Sequence, residues 1–171
     1  MVKIVQATVK DAQLIAKVGR QTFLESHGHS ASEDDIKKFV NKTYQEQAIA
    51  EEFKNENVQY YIISFEDEIA GFSKIEVNAL SPWVDAPAIT KLDRFYLLEA
   101  FHGKKLGVEF FNFIIETSKQ YNQKGIWLAV WVENLKAIKF YTKNEFKIVG
   151  DYNFKLSDTR SNPNHIMFKA Y

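Results

Sequence analysis

Cysteine is absent from the 171 residues. That absence excludes disulfide staples, thiolate nucleophiles and cysteine-type zinc sites together. Glycine and proline are scarce, at 7 and 3 residues, which argues against a collagen-like or disordered chain. No charge of one sign dominates: 22 Lys and Arg balance 22 Asp and Glu. A sequence-independent grip on nucleic acid needs uncompensated cations facing phosphates, so nucleic acid is not an expected partner, and no recognition helix stands out. No apolar run approaches the length of a membrane span, and Met1 to Ala7 lacks the apolar stretch of a secretory signal. The expected setting is the cytoplasm, away from membranes. What the chain does have is aromatic surface, with 14 Phe, 8 Tyr and 3 Trp, enough for a large core. The length predicts one domain over residues 1–171.

Apolar spacing sets the expected elements. Val2, Ile4 and Ala7 predict a short first strand. Thr8, followed three residues later by Asp11, marks a helix start, and Leu14, Ile15, Val18 and Thr22 recur at helical spacing. Ser32 before Glu33, Asp34 and Asp35 starts a second helix, and a short third is expected around 45–54. Tyr60 to Phe65 and Ile69 to Val77, parted by Glu66-Asp67-Glu68, predict a hairpin. Residues 79–88 contain Ser81-Pro82 and Ala86-Pro87 and predict a loop, with a strand from Ile89 to Leu97 after it. A helix with a wide apolar surface follows Gly107. Ile126 to Trp131 is a nearly unbroken apolar run, the sign of a central strand covered on both faces. Asn134 opens a last helix to about Asn144, and Phe146 to Phe154 and His165 to Phe168 predict closing strands. This order predicts an α/β fold: a mixed sheet with helices on both faces.

Between Leu92 and Val108 a strand ends, a glycine-containing loop turns and a helix begins. Unpaired N–H groups at a helix start carry partial positive charge, and glycines let a phosphate approach them. Gly103, Lys104, Lys105, Leu106, Gly107 and Val108 therefore form a candidate phosphate or pyrophosphate site. The two glycines equally suit a tight connection. There is no Gly-Lys-Ser/Thr motif and no clean dinucleotide fingerprint. On the next helix Asn134, Ala137, Ile138 and Tyr141 share one face. A ligand lying along it would touch both ends; a helix cap at Asn134 and a core role for Tyr141 fit the same spacing.

Residues 92–146 resemble the core of the GNAT superfamily of N-acetyltransferases. The segment His102-Gly103-Lys104-Lys105-Leu106-Gly107 is similar to that family's Gln/Arg-x-x-Gly-x-Gly/Ala loop, and Asn134, Ala137, Phe140, Tyr141 and Phe146 are similar to its second cofactor motif. Trp127 to Trp131 with Asn134, together with Thr22-Phe23 and the acids at 33–35, resemble bacterial PaiA-type spermidine/spermine acetyltransferases. The chain departs from the pattern twice: His102 stands where Gln or Arg is usual, and Lys105 replaces a glycine. If position 105 needs a positive φ, lysine is strained there; if its backbone is helical, Lys105 adds a phosphate contact.

The resemblance implies a mostly antiparallel sheet with a splayed central strand pair, acetyl-CoA as co-substrate and no metal. It places the pantetheine arm along Phe95, Tyr96 and Leu97, the diphosphate on residues 102–108, and Asn134, Ala137, Tyr141 and Lys143 on the other wall. It implies direct attack of a neutral primary amine on the thioester, with Tyr141 as proton donor to the departing thiolate and Asp93, or else Glu76, as base. A salt bridge is the competing role for Asp93. The expected acceptor is a small molecule, a polyamine in the narrower reading, with Glu25 and the acids at 33–35 capping its site; a helix N-terminus explains the same three acids. An amino acid, an antibiotic, a protein amine, or a CoA-binding regulatory role are the alternatives. His27 and His29 lack a third ligand for metal and are expected in a polar loop. A homodimer contact through Ser32 to Tyr44 or through 146–171 is expected by analogy.

Overall fold

Two acidic residues turn the central hairpin. Glu66 and Asp67 both adopt left-handed backbone, with φ of 50 and 65°, a geometry whose twist matches that of the flanking strands. They join β2 (Val58–Phe65) to β3 (Glu68–Glu76). The computed structural model describes residues 1–171. Around the hairpin lie β1 (Val2–Gln6), α1 (Ala12–His27), α2 (Glu33–Thr43), α3 (Glu46–Glu52), β4 (Thr90–Leu97), α4 (Leu106–Gln120), β5 (Gly125–Trp131), α5 (Leu135–Lys143), β6 (Lys147–Lys155) and β7 (Ser161–Ala170). The strands form one sheet in the order β1-β2-β3-β4-β5-β7-β6. All neighbours are antiparallel except β4 and β5. No helix is long and apolar enough to cross a membrane.

Alternation along the strands builds a core on each face. Ile63, Ile75, Leu92, Ile126 and Leu128 pack with Phe110, Phe111 and Ile114 of α4 and Tyr141 of α5. Tyr60, Ile62 and Phe72 pack with Ile15 and Phe23 of α1, Val40 of α2 and Ile49 of α3. Each fully buried large apolar side chain contributes about 1.5–3 kcal/mol. A third, smaller cluster of Ile89, Trp127 and Ile166 lies under the 79–88 loop. The Trp127 indole donates to the Ala79 carbonyl at 2.7 Å. Trp83 lies directly on Gly150, where any Cβ would collide with its ring.

Two boundaries differ from the sequence reading. Val9–Asp11 is a single 3₁₀ turn before α1, because the Asp11 carboxylate accepts both the Thr8 N–H and its hydroxyl and tightens that turn. β7 starts at Ser161 rather than near His165. Pairing with β5 on one side and β6 on the other carries the strand through polar residues and Pro163, overriding their low strand preference.

The feature that shapes the site is a bulge. Lys74 of β3 faces Arg94 of β4, while Ile75 faces Leu92, so Asp93 is the extra residue. A bulge bends its strand, and β4 pairs with β5 only at Thr90–Ile126 and Lys91–Trp127. Beyond those pairs the strands separate. The bulge is pinned by buried charges. Arg94 donates to both Glu52 oxygens, at 3.2 and 2.9 Å, and to the Tyr60 hydroxyl. Lys74 lies 2.7 Å from Glu52 and 2.9 Å from Asp93, and Lys91 lies 2.7 Å from Asp93. The Arg94 side chain is 11% exposed. Its removal takes the bidentate partner from Glu52, which keeps only Lys74 and the Tyr60 hydroxyl, and Arg94→Met is expected to lower the unfolding free energy by about 3 kcal/mol in urea titration.

Candidate active site

A free helix start faces the gap between β4 and β5. After β4 comes a single turn, Glu99–Phe101, then a loop into α4. Gly103 has φ of 79° and Lys105 φ of 63°. The first of these suits glycine. The second costs a lysine about 1–2 kcal/mol, so of the two cases left open for position 105 the strained one holds. Lys105 is the N-cap of α4 and offers no side-chain cap, which leaves the first amides of α4 without an intrahelical partner. A Cβ at Gly107 would meet only Leu97 Cδ1, at 3.6 Å, so this glycine is not forced by packing. Its bareness keeps the helix start open to an anion. His102 Nε2 lies 3.1 Å from the Leu97 carbonyl and its Nδ1 lies 3.4 Å from Lys136 Nζ. Nε2 therefore donates, and Nδ1 accepts from the ammonium.

The cleft that opens here has a volume of about 930 Å³. Phe95, Tyr96 and Leu97 of β4 line it, as do His102, Gly103, Lys105, Leu106, Gly107 and Val108 of the loop and helix start. Asn134, Ala137 and Tyr141 of α5 line the opposite wall. Two residues expected there lie elsewhere. Lys104 points to the far side of the loop, its ammonium 5.2 Å from the Phe65 ring centre, and Lys143, in the last turn of α5, does not reach the cleft. Lys136, in the first turn of α5, lines the cleft and was not singled out from the sequence.

Asn134 and Tyr141 are both structural elements and cleft walls. Asn134 Oδ1 accepts the Ala137 N–H at 3.2 Å and caps α5. Tyr141 packs against Phe111, Phe140 and Phe146. Burial, with a smaller contribution from the Tyr96 phenol, raises its pKa above the ordinary phenol value, so it stays protonated at neutral pH.

The other end of the cleft, toward α1, is aromatic. Trp127 and Trp131 lie on one face of β5, four residues apart, and Trp83, Tyr152 and Phe154 extend the wall. His27 and His29 flank Trp131 at 6.0 and 5.4 Å between ring centres. Ser30 is 4% exposed, lines the cleft, and its hydroxyl has no hydrogen-bond partner. The i, i+2, i+4 spacing of Trp127, Ala129 and Trp131 is a signal the sequence offers for this wall; nothing local in it brings Trp83 or Ser30 here. His27 is not in a polar loop. It is the last residue of α1, stacked on Phe23. No three His, Asp or Glu side chains converge as a metal-binding group.

The candidate acids divide. Asp93 lines the cleft. Burial alone would raise its pKa, but Lys74 and Lys91, with Arg94 behind them, hold it well below the usual carboxylate range. Glu76, at the end of β3, is outside the cleft lining, near Asn55. Glu33, Asp34 and Asp35 form the first turn of α2, where Asp35 and Ser32 exchange hydrogen bonds, and none of them lines the cleft. Glu25 does, and its two oxygens accept from Gln21 and from the Glu99 backbone.

Lys105→Gly relieves the strained backbone and is expected to raise the thermal midpoint by about 2–4 °C in calorimetry, while the lost cation weakens binding of an anionic ligand. Glu52 is also held low: burial opposes ionisation, and Arg94 and Lys74 overcome it. A carboxylate whose pKa is depressed by folding stabilises the protein above the unfolded value, about 4, and loses that contribution as pH falls through the folded value. Stability measured in urea should therefore fall as the pH drops below about 4, and Asp93→Asn should flatten that acid slope while being less stable at pH 7.

A family model described as the acetyltransferase (GNAT) family matches residues 23–146. An uncharacterized N-acetyltransferase from the pepI 3′ region of Lactobacillus delbrueckii subsp. lactis is 31% identical over 160 residues, covering 93% of this chain and 92% of that protein. Among solved structures, PaiA N-acetyltransferase from Thermoplasma acidophilum in complex with coenzyme A superposes with a TM-score of 0.78 at 19% identity, covering 100% of this chain and 99% of the other. The ribosomal-protein-S18-alanine N-acetyltransferase from Escherichia coli gives 0.72 at 14% identity, covering 99% and 94%.

Proposed function

The chain belongs to the acetyltransferase (GNAT) family and is an acetyl-CoA-dependent N-acetyltransferase, and we propose that it acetylates the primary amine of a small molecule by direct attack within the β4–β5 cleft. One observation carries the reading. The strand edges left unpaired after Lys91 and Trp127 meet the free start of α4 in a single continuous cleft. An extended amide-bearing arm suits the first and a diphosphate suits the second. The residues present fit the co-substrate. Amides of residues 103–107 would bind the diphosphate with Lys105 and Lys136, the Val108 amide being spent on the Lys105 carbonyl; the edge at Phe95, Tyr96 and Leu97 would bind the pantetheine arm, and Ala137 would close the wall.

Bound acetyl-CoA supplies an electrophilic thioester carbon and a thiolate leaving group. The chain supplies position and a proton. Tyr141, protonated and in the cleft wall, is the donor to the departing sulfur. Asp93 serves as a fixed anion rather than a base, since its oxygens already hold Lys74 and Lys91; it keeps the bulge and so keeps the cleft open.

A polyamine acceptor is a second reading. Glu25 and Glu99 line the cleft without a cationic partner and would suit a second ammonium group, and tryptophan faces attract cations. The acids at 33–35, outside the lining, do not contribute to it.

Calorimetry with coenzyme A tests the cleft: uptake by the folded wild-type protein is expected, and its absence removes the proposal. Tyr141→Phe should keep that affinity and lower thiol release by about 10²-fold; an unchanged rate would exclude Tyr141 as donor. In an amine panel with acetyl-CoA, spermidine and spermine outpacing amino acids and aminoglycosides would select the polyamine reading.

A further inference from the structure

The hydrogen bonds around His27 assign its tautomer. The Ser26 hydroxyl has one hydrogen and donates it to the Thr22 carbonyl at 2.7 Å, as a helical serine commonly does. The same oxygen lies 2.7 Å from His27 Nδ1. With the hydroxyl hydrogen on the Thr22 carbonyl, the oxygen accepts from Nδ1, which assigns the ring hydrogen to Nδ1 and leaves Nε2 its lone pair. Nε2 has no hydrogen-bond partner in the protein, and the ring lines the cleft. Phe23 stacks on the ring at 5.0 Å, Tyr96 meets it edge-on at 6.2 Å and Trp131 tilts against it at 6.0 Å. These contacts hold the imidazole in one orientation. Burial, and then the neighbouring His29, push its pKa down to about 4, so it is neutral at physiological pH.

We propose that His27 Nε2 receives the proton that the acceptor amine releases as it is acetylated. This rests on the acetyltransferase reading of the cleft. The other titratable groups in the lining are less suited. Asp93 is held by two lysines. Arg94 is a cation, paired with Glu52. Both oxygens of Glu25 accept hydrogen bonds. Glu99 is exposed on the turn before the diphosphate loop. The Tyr96 phenol is pushed up to about 12 by burial, against the pull of Arg94, and remains a donor. His102 uses both nitrogens, toward Leu97 and Lys136. His27 alone combines a free lone pair, a fixed orientation and a place in the aromatic end of the cleft.

The step balances. The amine lone pair forms the N–C bond, the C–S bond breaks with its electrons going to sulfur, the nitrogen's proton passes to His27 Nε2, and sulfur takes its proton from Tyr141. A neutral imidazole of low basicity does not strip a free ammonium ion. It takes the proton as the new bond forms, when the nitrogen turns acidic, and then gives it up to solvent, which restores the proton that Tyr141 lost to sulfur.

The test uses His27→Ala and His27→Gln in the full-length protein, with acetyl-CoA and the fastest amine of the panel. Thiol release gives kcat and KM, and calorimetry gives the affinity for coenzyme A. The expected result is a loss of about 10²–10⁴-fold in kcat for both variants, with coenzyme A affinity unchanged. Added imidazole should restore His27→Ala by about tenfold or more, in step with its free-base fraction. His27→Gln should stay slow, because an amide oxygen accepts a hydrogen bond and not a proton. Wild-type kcat in either variant, a loss confined to KM, or a loss in His27→Ala that imidazole does not restore would overturn the proposal. Failure of the wild-type protein to bind coenzyme A is a different result and overturns the reading of the cleft itself.

Discussion

The interruption of β4–β5 pairing is the constraint on which the rest depends. A parallel pair that continued past Lys91 and Trp127 would close the sheet over the cleft, and no groove would connect α1 to the start of α4. The interruption has a local cause, the extra residue at Asp93, and a distributed support, the charges that surround it. Glu52 comes from α3, Lys74 from β3, and Lys91, Asp93 and Arg94 from β4. A buried ion cluster is a weak contributor to net stability compared with an apolar one of the same shape. Here it has a geometric consequence, because it fixes the strand at its bend.

The same arrangement divides the cleft electrostatically. At the α4 end, unpaired amides, Lys105 and Lys136 gather positive charge. In the middle, Tyr141 is an uncharged donor set in a phenylalanine cluster. At the α1 end, tryptophans and a neutral histidine surround the space. Carboxylates that touch the cleft are held by cations, engaged in hydrogen bonds, or exposed at its edge. The aromatic content noted in the composition thus serves two ends: two large cores, and one wall of the cleft.

Much of the frame was legible in the linear chain. The acidic turn at 66–67, the loop at 79–88, the apolar run of β5 and the caps at Ser32 and Asn134 follow from local spacing and turn chemistry. The loop at 102–108 was legible because a strand, a glycine and a helix start are adjacent in sequence. Lys104 and Lys136 show the limit of that reading. Adjacent lysines in a tight loop point to opposite sides, so Lys104 meets Phe65 while Lys105 faces the cleft, and Lys136 arrives from a helix thirty residues on. The backbone state of Lys105 was undecidable in the sequence, since a lysine is compatible with either basin and the surrounding structure selects the costly one.

By itself, the sequence determined the element order, the two-sided sheet, the anion-seeking helix start and the family it belongs to, because each is written in residues close together along the chain. Only the tertiary structure decided the chemistry of the aromatic end of the cleft. Asp93 became an ion-pair partner through Lys74, a residue of the neighbouring strand. His27 became a neutral, oriented base candidate through Trp131 and Tyr96, which lie far from it in sequence. Proton affinity depends on which charges and apolar surfaces surround a group in space, and those neighbours are assembled only when the chain has folded.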